Sequence, residues 1–415
     1  MIRVELPERP GWRERAAALG FGFHAMYGEP YWEDGAAYLF TLDRVERDIE
    51  APTAALHALC LDLVAEAVRE PALMTALGVP GGAHELLAAS WEAGDPTLYG
   101  RFDLAYDGRG PARLLEYNAD TPTGVFETAH FQHEWLVERC ENGWLPPDAD
   151  QFNSLQEGLT EAFAGMVRAA PFPTMHLACD TRSEEDAGTV GYLADCAAQA
   201  GWRTRALDIA ALGIDASGGF VDDADAPVGR CFKLYPWEDM LREPFARHVR
   251  PGTFIEPPWK ALLSTKAILP LLWERHEGHP NLLPAYFEDD PRVAAMGRHV
   301  LKPIHGREGG NVAIVEGGRT TESTGGDYAD GPRIAQALAP LWLTGAEAGS
   351  GTGDGAGDDA RHAVIGSWIA GDAPRGMGVR EDRGRITRDL SRFVPHAIVD
   401  DPEAVAAALA GRVRR

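Results

Sequence analysis

Apolar positions recur at helical spacing through much of the first 100 residues. Residues 49–68 set Leu56, Leu59 and Leu63 on one stripe, and Pro52 suits a first helical turn, where a missing N–H is not needed. Glycines at 78–82 interrupt this pattern before a second short helix near 84–91. The period then changes from 3.6 to 2. Residues 99–106 read as a strand, Asp107-Gly108-Arg109-Gly110 as a turn, and 113–118 as the returning strand. An unbulged hairpin pairs residues whose numbers sum to an odd value, Arg101 opposite Glu116 being one register. All such registers place Arg101, Asp103, Glu116 and Asn118 on one face, with Leu114 as the apolar exception. Phe102, Leu104, Leu115 and Tyr117 take the other face. The expectation is a sheet whose mostly polar face lies over a site.

Residues 152–219 alternate helical patterns with short apolar runs at 173–180 and 206–212, which predicts α/β layering. Residues 215–225 are acidic and turn-rich, as at a hairpin end, and 232–235 open another ordered element. After Pro257-Pro258, residues 261–274 read as a helix carrying Lys266. Residues 299–303 read as a strand that delivers Lys302 to the glycine-rich run His305 to Asn311, with 312–315 as the return strand. The apolar run 337–343, which includes Pro340, reads as part of an ordered wall. The low-complexity segment 345–359 (GAEAGSGTGDGAGDD) reads as a surface loop with little chemistry. Residues 401–415 have the spacing of a closing helix.

Composition narrows the class. Of 415 residues, 45% are hydrophobic and 25% charged, which excludes wholesale disorder. Against 39 basic residues stand 63 acidic ones, a net charge of −24. That balance argues against nucleic-acid partners and suits a cationic substrate or a metal-bound nucleotide. No apolar stretch reaches the roughly 18–20 residues of a membrane span, and the first residues lack a signal core, so no membrane partner and a cytoplasmic location are expected. Cys60, Cys140, Cys179, Cys196 and Cys231 form no CxxC pair and read as reduced structural thiols. No serine or cysteine hydrolase motif is present.

The candidate chemistry sits on the hairpin and after it. Asp103, Glu116 and Asn118 offer hard oxygen ligands of the kind Mg²⁺ takes, with Asp120 outside that set. Arg101 on the same face is placed to neutralise a carboxylate or an acyl phosphate. Spacing alone is equally met by a solvent-facing strand pair with an Arg–Glu ion pair. Lys302 heads a run in which Gly306, Gly309 and Gly310 allow backbone amides to cradle phosphate, although it matches neither GxxxxGK[ST] nor GxGxxG. An ordinary glycine-rich hairpin is the plain alternative. Lys260 and Lys266 would ordinarily be solvent-exposed. Arg375 and Arg380 are suited to a terminal carboxylate or a transferring phosphoryl group, or else pair with Glu381 or Asp382. Arg388, Arg392 and His396 in TRDLSRFVPH carry no diagnostic pattern. Taken together, the metal face and the two lysines make phosphate activation the leading chemistry.

Five ordered strings carry a resemblance: YGRFDLAYDG, LLEYNADTPTG, LLSTKAILPLLWE, LKPIHGREGGNVAI and IGSWIAGDAPRGMGVREDRGRITRDLSRFVPH. The chain resembles the glutathionylspermidine synthase family in its ATP-grasp synthetase domain, over about residues 15–400. That resemblance implies an α+β ATP-grasp fold of the glutathionylspermidine synthetase type, with intimately packed α/β lobes. The synthetase region would span 1–400, in approximate sub-lobes 1–150, 151–255 and 256–400, followed by the helix at 401–415. It also implies an ATP-dependent carbon–nitrogen ligase. ATP phosphorylates a small peptide carboxylate, glutathione-like in the family, and an amine or polyamine attacks the acyl phosphate to give an amide. The implied cofactors are ATP and Mg²⁺; homo-oligomerisation stays open.

By the same resemblance Asp103, Glu116 and Asn118 hold Mg²⁺, and Arg101 stabilises the acyl phosphate. Lys266 and Lys302 contact ATP, Gly306, Gly309 and Gly310 belong to a lid over the triphosphate, and Gln336 sits at the adenine-binding connector. Arg380 is the late arginine that meets the peptide carboxylate. The metal motifs precede the lysines, an order particular to this family among ATP-grasp enzymes. Because the pattern starts almost at residue 1, no amidase domain is expected, and Thr121 and Thr123 stand where substrate contacts vary. A non-catalytic or regulatory ATP-binding protein of the same fold is the alternative.

Overall fold

The computed structural model describes residues 1–167, 174–344 and 360–413. The expected loop at 345–359, and residue 173 at the head of its apolar run, lie outside the described residues. Among the described residues, one antiparallel sheet runs in the order Arg392–Val394, Ala373–Asp382, His362–Ala370, Tyr99–Ala105, Arg113–Asn118, with Trp342–Leu343 also paired to His362–Ala370. A second antiparallel sheet runs Ala285–Phe287, Arg333–Ala337, Arg298–Pro303, Ala313–Glu316, Arg319–Ser323. The middle of the chain builds a parallel sheet, Phe254–Ile255, Cys231–Leu234, Thr174–Cys179, Arg203–Asp208, on which the helix Glu184–Gln199 packs. The expected α/β layering is this unit, and its acidic hairpin end is the pair Gly213–Ile214 and Phe220–Val221.

The first hundred residues are less helical than their pattern predicts. Ile2–Glu5 and Ala36–Phe40 are strands, joined by His396–Ile398 from near the far end of the chain. Ala36–Phe40 is buried at every position, and an uninterrupted apolar run has no period to betray a strand. The helices Ala51–Ala67 and His84–Glu92 form where the spacing places them, and Pro402–Val413 closes the chain.

The hairpin over the site pairs Arg101 with Asn118, Phe102 with Tyr117 and Asp103 with Glu116. Its polar face is as expected. A bulge after Asp103 then sets Leu104 opposite Leu114. One extra residue reverses the facing of the positions beyond it, so Leu114 is fully buried in the core and Leu115 turns toward the cleft. Behind the polar face Phe102 and Tyr117 stack with centroids 3.8 Å apart.

Lys266 also departs from expectation. The helix begins only at Ile268 (Ile268–Arg275), after a tight turn at Pro258–Leu262. Lys266 N–H donates to the Ile304 carbonyl at 2.8 Å, which ties this segment to the end of the neighbouring strand instead of to its own preceding turn. Lys260 is no surface lysine. It is 1% exposed, lies 2.7 Å from Glu256 and donates to the Tyr99 carbonyl at 2.6 Å. Glu256 in turn accepts from the amides of Leu98 and Tyr99, so this buried pair pins the start of the Arg101/Asp103 strand. All five cysteines are free thiols. Among the described residues no helix is long and apolar enough to cross a membrane.

Candidate active site

Strand alternation points Arg101 and Asp103 the same way, and the two form a forked pair. Arg101 Nε donates to Asp103 Oδ1 at 2.6 Å and Nη2 to Oδ2 at 3.0 Å, while Nη1 donates to the Thr123 carbonyl at 2.6 Å. Gly366 lies opposite Asp103 on the adjoining strand, and a Cβ there would stand 2.9 Å from Arg101 Cδ. Its glycine lets the arginine lie across the sheet beside Trp368, 5.7 Å from that ring. Burial works against the Arg101 charge, but Asp103 and Glu116 outweigh it and keep the guanidinium protonated. Asp103 is pushed up by burial, with Arg101 opposing and Glu116 reinforcing the shift. For Glu116, burial is outweighed by Lys266 and Lys302, which hold its carboxyl well below the usual range.

Asn118 Nδ2 stands 3.2 Å from both Asp103 Oδ2 and Glu116 Oε1. Two carboxylates therefore converge on one point, and turning the amide over presents a third hard oxygen to it. Among the described residues no cluster of three or more His, Cys, Asp or Glu side chains is arranged to hold a metal. The set here is two carboxylates and an amide, a donor chemistry that fits a hard cation whose remaining ligands are water and phosphate.

A cleft of about 790 Å³ opens between the two antiparallel sheets. Asp103, Glu116, Lys266, Lys302, Gly306, Gly309, Gly310 and Gln336 all line it. Lys266 Nζ reaches Glu116 Oε2 at 2.9 Å and donates to the Gly306 carbonyl at 2.6 Å. Lys302 Nζ donates to Gln336 Oε1 at 2.8 Å and to the Leu115 carbonyl at 3.0 Å, and Gln336 Nε2 donates to the Leu114 carbonyl at 2.8 Å. Burial lowers the Lys302 pKa to about 8, with Glu116 pulling the other way. Ala337, Leu338, Ala339 and Leu341 supply the apolar wall.

A second cavity, about 380 Å³, adjoins the first and is lined by Tyr31, Arg101, Asp103 and Arg380 among others. Asp103, Val364 and Thr387 line both. Arg380 pairs with neither Glu381 nor Asp382. It donates to the carbonyls of Arg388 and Asp389, both at 2.7 Å, and of Ser391 at 3.2 Å, while Glu381 is taken by Arg3 and Asp382 by Arg388. Arg375 pairs with Glu161 instead.

Four side chains at these cavities carry no signal in the local sequence. Tyr31 and Thr387 line them, and Arg385, also in the cleft, ties its loop to Glu316 and Glu322 at 3.1 and 2.5 Å. Arg307, in a neighbouring pocket it shares with Glu116, Asn118 and Lys266, donates to Thr121 Oγ1 at 2.6 Å and Glu238 at 2.8 Å. A run of arginines in an irregular segment has no period, so nothing local distinguishes them. Asp120 stands outside the metal-type set, as expected, and Lys233 and the Trp237 amide occupy its oxygens.

The chain is 37% identical over 410 residues to a Haemophilus influenzae protein provisionally named an acid–amine ligase, covering 95% of this chain and 98% of that one. It is 26% identical to trypanothione synthetase of Crithidia fasciculata and 27% to the bifunctional glutathionylspermidine synthetase/amidase of Escherichia coli, over 80% and 79% of this chain. It spans only 52% and 56% of those two relatives. Among solved structures, a glutathione synthetase-like effector from Globodera pallida shares the fold with a TM-score of 0.54 at 11% identity, covering 87% of this chain and 88% of that one. Residues 3–399 match the family described as glutathionylspermidine synthase preATP-grasp. The chain belongs to that family, and with it to the ATP-grasp enzymes that form carbon–nitrogen bonds between a carboxylate and an amine.

Proposed function

We propose that the enzyme joins a small peptide carboxylate to an amine or polyamine in the cytoplasm, using the 790 Å³ cleft for ATP and the 380 Å³ cavity for the carboxylate. The observation that carries this reading is the shared wall: Asp103, Val364 and Thr387 border both cavities, so a γ-phosphate and a carboxylate would meet at the Arg101–Asp103 pair. Lys266 and Lys302 hold the triphosphate, Gln336 and the 337–341 wall take the base, and the loop Gly306 to Gly310 covers the phosphates. Asp103, Glu116 and Asn118 are the residues that would hold Mg²⁺, which when bound draws charge from the phosphates. Arg101 faces the point where the acyl phosphate forms, and a fixed cation there favours the transition state over the reactants. Arg380 steers the rest of the peptide, and cleft closure keeps water from the activated acyl group.

The trypanothione and glutathionylspermidine relatives motivate glutathione and spermidine as first probes. Purified protein with ATP, Mg²⁺ and a panel of peptides and polyamines is expected to release ADP and an amide-linked product, read by mass spectrometry. ADP without any amide across the panel would reject the amine acceptor, and ATP binding without turnover would favour a regulatory nucleotide-binding protein.

A further inference from the structure

Glu127 is a carboxylate the ligation chemistry above does not use, and its surroundings are unusual. It is 0% exposed, and its Oε2 is buried without a hydrogen-bond partner among the described residues. Its other oxygen accepts the Tyr31 hydroxyl at 2.7 Å. Burying a carboxylate with one side-chain donor and its own backbone N–H is costly, since isolated buried charges normally acquire a cation or several donors. A residue of purely structural value would do better as an amide or an apolar side chain of similar size.

Its one side-chain partner leads to the reacting centre. Tyr31 lines the 380 Å³ cavity with Arg101, Asp103 and Arg380. The Tyr31 hydroxyl and Arg101 Nη1 come within 4.0 and 3.8 Å of the point where a Cβ on Gly124 would stand. The phenol therefore opens beside the guanidinium that would hold the activated carboxylate. Arg380 lies over the Tyr31 ring at 5.6 Å. The charged groups facing Glu127 are Glu185, which repels its charge, and Arg380, which attracts it; Tyr31 is the remaining titratable neighbour.

Resting on the ligase reading of this cavity, we propose that Tyr31 and Glu127 form the proton exit of the amide-forming step. The amine attacks as a neutral nucleophile, its nitrogen bonding to the acyl carbon while the acyl–phosphate C–O bond breaks and phosphate leaves with the electron pair. The nitrogen, cationic as the C–N bond forms, loses one proton to Tyr31 Oη while the phenol's own proton passes to Glu127 Oε1. Tyr31 is the catalytic residue here and Glu127 the positioning residue that acts through it. Burial holds the Glu127 carboxyl up at about 7, with Glu185 adding to the rise, so it exchanges a proton with its surroundings near neutral pH.

The test compares two acceptors on one donor. Wild type, Glu127→Gln and Tyr31→Phe are given ATP, Mg²⁺ and glutathione, with either spermidine or hydroxylamine, from pH 6 to 9. Hydroxylamine is already neutral and needs little help in losing a proton, so its hydroxamate reads activation alone. Both variants should lose amide formation by about 100-fold or more while keeping hydroxamate formation within about threefold. The acidic limb near pH 7 in the wild-type spermidine kcat profile should vanish in Glu127→Gln. Equal losses with both acceptors, or no loss with either, would overturn the proton exit. Wild type yielding neither product would instead reject the ligase reading beneath it.

Discussion

Lys266 Nζ lies 2.9 Å from Glu116 Oε2, so a lysine of the cleft and an acid of the hairpin's polar face neutralise each other. Under the proposed function each would exchange that partner for a stronger one, the lysine for phosphate and the carboxylate for a divalent cation. A charge pair of this kind holds both side chains in position at little cost in reorganisation. It also explains how a cleft holding Lys266 and Lys302 stays compatible with a folded interior.

Glu116→Ala should therefore lower turnover by about 100-fold or more and also destabilise the fold, because Lys302 and Lys266 lose the carboxylate that faces them. The readout is kcat over a Mg²⁺ titration alongside urea unfolding. Turnover equal to wild type at matched Mg²⁺ and ATP would remove Glu116 from the site.

Lys302 gives a pH dependence with a definite sign. Its pKa is lowered to about 8, burial being the largest cause, so it is charged below that value and neutral above it. Affinity for an ATP analogue should fall as pH rises through about 8, and Lys302→Arg should shift that fall to higher pH because a guanidinium keeps its charge. In the ligand-free protein the linkage runs the other way. The lysine's contribution to stability is fully present above the unfolded-state pKa and is lost as pH falls through about 8. Calorimetric titration between pH 6.5 and 9.5 checks the first effect and urea melts the second. An affinity flat across pH 8 would show that Lys302 does not meet the phosphates.

How much of this site is legible in the sequence depends on whether the signal is local. Arg101, Asp103, Glu116 and Asn118 follow from period-2 alternation, because strand geometry alone sends them to one face. Leu114 and Leu115 do not, since a bulge leaves no mark in apolar alternation. The glycine-rich run after Lys302 is readable as a loop, but its apposition to Thr387 is not. The strongly apolar run 261–274 predicts a helix through Lys266, whereas the Lys266 amide is bound to Ile304. Tyr31 and Glu127, 96 positions apart, meet only through the tertiary fold.

Under the proposed function the loop at Gly309 covers the phosphates, and its place there rests on close packing. Gly309 has φ +67° and a Cβ there would collide with the Thr387 carbonyl oxygen, so the two loops over the cleft touch through backbone. Gly309→Ala imposes a left-handed penalty of roughly 1–2 kcal/mol and also separates the loops. Amide formation should fall about tenfold or more, and the ratio of ADP to amide should rise as water reaches the acyl phosphate. An unchanged ratio with unchanged kcat would show that the loops need not meet during turnover.

Two residues beyond Asn118, Asp120 is a structural acid and not a metal ligand. Lys233 and Asp120 are 0% and 1% exposed at their side chains and lie 2.7 Å apart, joining the exit of the hairpin to the parallel sheet. Asp120 also accepts the Trp237 amide at 2.8 Å, and Lys233 donates to the Tyr235 carbonyl at 2.8 Å. Burial pushes each toward its neutral form, lowering Lys233 and raising Asp120, and each opposes the shift of the other. Lys233→Met strands a buried carboxylate and should cost about 3–5 kcal/mol. Adding Asp120→Asn removes that stranded charge and keeps an acceptor for the Trp237 amide, so the double variant should recover most of the loss. A merely additive double variant would deny the coupling, and a Mg²⁺ requirement shifted by Asp120→Asn alone would place this residue in the metal shell. Urea unfolding of the four proteins, with Mg²⁺ titrations of turnover on the same samples, distinguishes the two roles because only a ligand changes the second measurement without the first.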